Sequence, residues 1–531
     1  MKIPRLSAAL LGRAPRAGVS PAAAVAPHPD VDGIHAIGDG TAPADRYVGL
    51  IASGGVAIIL VLLIIIAALR GPWIDEFWTL ELSDTGKGLH ALIRDGWLHD
   101  AHPPLFNLWA TFLTALGVTS IPTGRIVSNL AAAGLMILAA LHLSRRTPAQ
   151  AVFNAAMLLL VLSVPQVVEA FADYRSYFWQ IAAFSTLILV ARHVVTTDLD
   201  LDLRKEPGLA IVAVLATTGS IALHYISASF GGLLAGFIAV FALARGKWRW
   251  GGLLLATAAL SSLFIVGMAL LQAPNWTVDF DQSWIDADDV LALGVPLLLA
   301  VLAIGHNPVP LAALRWAHRR WTRPERAFCA LMAGVLIVGV GVLFALNFLK
   351  PIMVGRYLFA VSLLICAMMA ALAEKLAHDR RLFGLLAVVS IIAVLGSLAW
   401  LAPQSRWLGG ARIVARIVAE CPTTRVYAAS GWTLGPAYDT RAARREDAVF
   451  ERAHKLMAER YGYKVHFIGR HGVAETLPGR CPVLIWFEHT PYSELDLQSA
   501  LAATDMTGLE LAQLSAIVTR TGFVLRADRP Y

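Results

Sequence analysis

Residues 48–78 read VGLIASGGVAIILVLLIIIAALRGPWIDEFW. The first 22 are apolar or small, enough for about 33 Å of helix and so for one crossing of a bilayer core about 30 Å thick. The eight after Arg70 place Pro72, four large apolar side chains and two adjacent acids directly at the end of that span. Further runs of this kind lie at 124–143, 149–168, 177–195, 208–224, 226–244, 251–271, 290–304, 327–347, 357–376 and 382–402. The expected fold is therefore a polytopic α-helical membrane protein with eleven transmembrane helices. Only 15% of the 531 residues are charged and mean hydropathy is +0.63, which excludes an ordinary soluble enzyme.

Lysine and arginine orient the spans, because they accumulate in short cytoplasmic loops. With the N-terminus inside, the loops on that side carry sixteen, from Arg145 to Arg381. The opposite loops, the long first one aside, carry Arg175, Lys350 and Arg356. The apolar stretch 103–118 would invert this balance if it crossed, so it is expected as a juxtamembrane segment within the first external loop, 70–123. The net charge of +7 thus reflects topology and implies no nucleic-acid partner.

Residues 1–46 are rich in Ala, Pro and Gly and read as a disordered cytoplasmic tail, with no cleavable signal before the first span. Residues 47–402 form the membrane module. From 403 to 531 the composition becomes that of a small external α/β domain, with strands expected at 425–429, 465–468 and 483–487 and helices at 441–460 and 493–504. Cys421 and Cys481 both fall there, and an oxidising compartment favours a disulfide between them; Cys329 and Cys366 lie inside spans.

Candidate chemistry collects on one face. Asp75 and Glu76 stand among aromatic residues at the membrane edge, where low polarity and a like-charged neighbour favour a general base. The alternative is that they merely cap the following helix. His102 precedes Pro103 and Pro104, which fix the backbone around it. His99, Asp100 and His102 are too close in sequence to converge readily on one metal, and no zinc or Walker motif occurs. Asp173, Arg175 and Tyr177, then His224 and Tyr225, then Lys350, Arg356 and Tyr357, lie at external helix ends by the same topology. Arginine there serves either as an interfacial anchor or as a fork for phosphate or carboxylate.

The ordered series Asp75-Glu76, His102-Pro103-Pro104-Leu105, Arg175-Ser176-Tyr177, His224-Tyr225 and Arg356-Tyr357-Leu358 resembles the GT-C glycosyltransferases. Most similar is the branch holding protein O-mannosyltransferases and lipid A aminoarabinose transferases. The resemblance implies a GT-C type A-like fold and a polyprenyl-phosphate-linked sugar as donor, used on the periplasmic or luminal side; the Ala-rich composition points to a bacterial inner membrane, and span parity to a periplasmic C-terminal domain. The resemblance also implies inverting transfer to a hydroxyl of a lipid, glycan or protein acceptor. Asp75 would be the base, and Glu76 would position a substrate or tune its neighbour. Arg356, Arg175 and Lys350 would hold the donor phosphate. His102, Asp173, Tyr177, His224, Tyr225 and Tyr357 would line the substrate site. No cofactor is certain, and a divalent metal stays open because GT-C branches differ. The rival classes are a transporter or flippase for a lipid-linked or anionic substrate, which should show paired broken helices at mid-membrane, and a non-catalytic assembly protein or receptor.

Overall fold

The computed structural model describes residues 43–100, 102–226, 228–275, 321–349, 358–376, 380–430, 441–468, 481–488, 514–519 and 521–527. Residues 1–42 of the tail expected over 1–46, the run 290–304 and the helix expected at 493–504 lie outside these residues.

The described membrane module is helical: α1 (Pro43–Leu69), α2 (Ile74–Leu82), α3 (Leu105–Ala115), α4 (Ile121–Ser144), α5 (Pro148–Ser163), α6 (Pro165–Phe171), α7 (Tyr177–Thr196), α8 (Pro207–Ala222), α9 (Ala228–Ala244), α10 (Trp248–Gln272), α11 (Arg323–Leu349), α12 (Phe359–Leu376) and α13 (Arg380–Leu401). Six of the described helices, α1, α4, α7, α10, α11 and α13, are long and apolar enough to cross a membrane. The run expected as one span at 149–168 is instead two helices, α5 and α6, bent by 74°. Pro165 explains the break: it has no N–H to give Val161, and it holds Val164 in an extended conformation.

Local chemistry sets several helix starts. Ser120 Oγ accepts from Thr123 N at 3.3 Å, and Thr147 Oγ1 from Gln150 N at 3.1 Å, each followed by a proline in the first turn. Helix α7 is buried along its length and forms the centre of the bundle, packed by Phe153, Phe230 and Leu363. Leu263, Leu270, Ile337 and Ile392 stay exposed on outer helices, the surface that lipid covers. At the other end of α7, Arg192 sits within the helix rather than in a loop. It pairs with Glu374 at 2.6 Å beside Glu325 and Lys375.

Helix α3 has eleven residues, about 16 Å, too short to cross. It buries Phe106, Ala110 and Leu113 while Leu108, Phe112 and Leu116 are exposed, as suits a helix lying against the bundle.

Beyond α13 come α14 (Trp407–Glu420), β1 (Arg425–Ser430), α15 (Arg441–Tyr461), β2 (His466–Phe467), β3 (Val483–Glu488), β4 (Leu514–Val518) and β5 (Gly522–Ala527). The sheet order is β2-β1-β3-β5-β4; β1 runs parallel to β2 and β3, and β5 antiparallel to β3 and β4. Every residue of β3 is buried, the mark of a central strand covered on both faces. Leu484 and Trp486 point to the helices, Ile485 and Phe487 to the opposite layer. Cys421 and Cys481 are joined in a disulfide, with Cα atoms 5.6 Å apart.

The sheet's helix-side core continues into the membrane module. Ile74, Phe77 and Leu80 of α2 pack in one cluster with Trp407, Phe450 and Trp486, and the rings of Phe77 and Trp407 lie 5.0 Å apart. Gly71 donates its N–H to Gln404 O at 3.0 Å, and a Cβ at Gly71 would stand 1.9 Å from Ser405 O. Only glycine permits that approach.

Candidate active site at the end of the bundle

Asp75 occupies the first turn of α2, half-buried, where the helix dipole favours negative charge. Its neighbour has a different environment. Glu76 is fully buried: Oε1 accepts from Arg125 Nε at 2.6 Å and from Tyr174 N at 2.7 Å, and Oε2 from Trp73 N at 2.8 Å and from Arg125 Nη2. Arg125, also fully buried, further donates to the carbonyls of Ala67, Arg70 and Gly71 at 2.7–3.1 Å. It thereby closes the C-terminal end of α1, whose last carbonyls have no helical partner. Glu76, grouped with Asp75 from the sequence, has its oxygens filled from within the protein and presents no face to a substrate.

A second ion cluster adjoins the first. Arg70 ends α1 and meets Asp173 Oδ1 at 2.9 Å and Glu169 Oε1 at 2.5 Å. Arg406 approaches the same two acids at 3.5 Å and lies 4.8 Å over the Trp73 ring. Burial, followed by the Arg70 charge, lowers the Arg406 pKa against the pull of Asp173 and Glu169. Asp173 therefore serves these arginines. Arg406 also carries φ 44°, a left-handed conformation that costs energy outside glycine.

The remaining candidates converge. His102 Nδ1 lies 3.3 Å from Arg175 Nη2 and 3.4 Å from Asp100 Oδ1, so the ring tautomer decides which contact it makes. Its ring is 5.4 Å from that of His224 and 6.5 Å from that of Tyr177, and the latter two are 5.7 Å apart. Tyr225 OH donates to Gln272 Oε1, and Gln272 Nε2 donates to the carbonyls of Trp97 at 2.6 Å and His102 at 3.0 Å. Arg175 reaches back to Thr79 Oγ1 at 3.4 Å, one turn along α2 from Asp75. Burial opposes ionisation of Asp100, but His102, Arg175 and the amide of Asn107 at 3.0 Å outweigh it and hold that carboxyl below the usual range.

Five residues named from the sequence, His102, Arg175, Tyr177, His224 and Tyr225, thus share one small volume beside the helix of Asp75. Lys350, Arg356 and Tyr357 lie outside the described residues. Sequence reading missed Arg70, Arg125, Arg406 and Gln272. Arg125 left a usable signal, a lone cation one residue inside an apolar run. Among the described residues no group of three or more His, Cys, Asp or Glu is arranged to hold a metal ion.

No family model and no curated protein matches the chain. Solved structures do. The crystal structure of ArnT from Cupriavidus metallidurans in the apo state has a TM-score of 0.52 at 13% identity, covering 92% of this chain and 100% of its own. The structure of ArnT from the same organism bound to undecaprenyl phosphate gives 0.52 at 14%, with the same coverage. At such identities the likeness is one of fold: the chain is folded like these two ArnT structures over nearly its whole length.

Proposed function

We propose that this chain is a polyprenyl-phosphate-sugar-dependent glycosyltransferase of a bacterial inner membrane, working on the periplasmic face, with residues 403–531 on that side. The supporting observation is the convergence of Arg175, His102, Tyr177 and His224 beside the helix that carries Asp75, on a fold shared with a protein that binds undecaprenyl phosphate.

In this reading Asp75 takes the proton from the acceptor hydroxyl as its oxygen attacks the anomeric carbon. The new C–O bond forms as the bond from that carbon to the donor phosphate breaks, with inversion, and the electron pair leaves on polyprenyl phosphate. Arg175, with Arg356 and Lys350, holds that phosphate and offsets the charge it gains. The imidazoles and tyrosines flank the sugar. Glu76 acts on Asp75 through the backbone: with Arg125 it pins the turn from Trp73 to Glu76, and Arg406 pins Trp73 from the other side. The acceptor is a hydroxyl of a lipid, glycan or protein.

The test supplies membranes holding wild type or Asp75→Asn with labelled polyprenyl-phosphate sugar. Wild type should transfer label, and Asp75→Asn should bind donor yet transfer at least a hundredfold less. Equal transfer by both would remove Asp75 as the base, and absence of donor binding by wild type would remove the function.

A further inference from the structure

A cavity of about 290 Å³ lies on the face of α2 turned away from Arg175, between the end of α1, the start of α4 and helices α14 and α15. Its walls are largely apolar, with Phe77, Leu80, Ile121 and Leu456 among them. Four arginines, Arg70, Arg125, Arg412 and Arg460, also line it, and no Asp or Glu does.

The first two arginines are matched by Glu169, Asp173 and Glu76 behind the wall. The other two are not. Arg412 Nε donates to Tyr461 OH at 3.1 Å, and among the described residues neither Arg412 nor Arg460 pairs with a carboxylate. Inside the cavity wall, the fully buried Arg70 has an Nε with no hydrogen-bond partner among the described residues. A buried donor left this way costs about 1–3 kcal/mol unless something accepts from it. The site therefore has excess positive charge, an unused donor and apolar walls.

Its height fixes the kind of occupant. Candidate span α1 ends at Leu69 and candidate span α4 begins at Ile121, and both residues line the cavity. That is headgroup level, with lipid-exposed Leu69 leading down the side of α1. We propose that this cavity binds an anionic phospholipid of the adjoining leaflet, its phosphate held by Arg412 and Arg460 and the upper part of its chains against Leu69 and Ile121. The site is separate from the proposed donor site, and its occupant bridges the membrane helices and the C-terminal helices α14 and α15.

The test uses the purified full chain in neutral detergent, with lipid binding read by native mass spectrometry. Phosphatidylglycerol should be retained in preference to phosphatidylcholine. Each surface arginine contributes about a factor of five toward an anionic lipid, so Arg412→Gln with Arg460→Gln should weaken retention roughly thirtyfold. Leu456→Trp, which fills the cavity and leaves the charges, should also lose the lipid, and Asp75→Asn should keep it. Equal retention of phosphatidylcholine, or wild-type retention by the double variant or by Leu456→Trp, would overturn the proposal. Competition by millimolar inorganic phosphate as effective as lipid would overturn the lipid assignment in favour of a free anion. No arm depends on sugar transfer, so this result stands or falls apart from the reaction proposed above.

Discussion

Replacing Glu76 by Gln exchanges one oxygen for an NH2 group and should cost more than its conservatism suggests. Each carboxylate oxygen takes two donors: Arg125 Nε and Tyr174 N on one, Trp73 N and Arg125 Nη2 on the other. A glutamine can accept at only one of these positions. Its NH2 must then face two donors, and the Arg125 guanidinium, buried with it, loses its counter-charge. Removing one partner of a buried pair costs about 3–5 kcal/mol, two to four powers of ten in the folding equilibrium. Titration with sodium dodecyl sulfate from mixed micelles, followed by tryptophan fluorescence, measures the difference. A change under about 0.5 kcal/mol would show instead that the pair is solvated or that neighbouring groups replace it.

The fully buried His454 has its pKa pushed down to about 4 by burial, so it is neutral in the fold. The unfolded chain binds a proton near pH 6.5, so stability is complete above that value and falls by about 1.4 kcal/mol per unit down to about pH 4; His454→Phe should flatten the curve measured by denaturant titration. The Cys421–Cys481 bond spans 60 residues, and reduction should cost about 4 kcal/mol, read as a lower unfolding midpoint in dithiothreitol that Cys421→Ser reproduces without reductant. Arg175→Lys loses the planar fork that reaches both His102 and Thr79, and donor kcat/KM should fall about tenfold or more; an unchanged value would take Arg175 out of the phosphate site.

The membrane helices were readable because each long apolar run has few physical alternatives. The runs at 48–69, 177–195 and 251–271 became α1, α7 and α10 with ends shifted by a few residues. The 149–168 run hid its break, since a single Pro165 within an apolar stretch bends some helices and ends others. Strands β1 and β3 announced themselves as compact apolar runs, whereas β4 and β5 did not. Leu514–Val518 and Gly522–Ala527 are short and weakly patterned, and their pairing with each other and with β3 is non-local. At the site, sequence order named the residues that gather around His102 because they sit at helix ends on one side. It could not show that Asp173 and Glu76 spend their charge on Arg70, Arg406 and Arg125. Which acid faces a partner and which faces a substrate is decided by packing between segments 49 to 233 residues apart.

The contact between Phe77 and Trp407 also orders events in time. The turn bearing Asp75 leaves the ribosome more than three hundred residues before Trp407, Arg406 and Gln404, the groups that hold it from the C-terminal side. At usual synthesis rates that interval is roughly 15–65 s. During it α1 can already be inserted while its following turn lacks the supports from Gln404, Arg406 and Trp407. A chain cut short before Gln404 would be a membrane-embedded bundle whose Asp75 turn is still unset, so synthesis of the segment from Gln404 to Trp407 doubles as the moment of assembly for that turn.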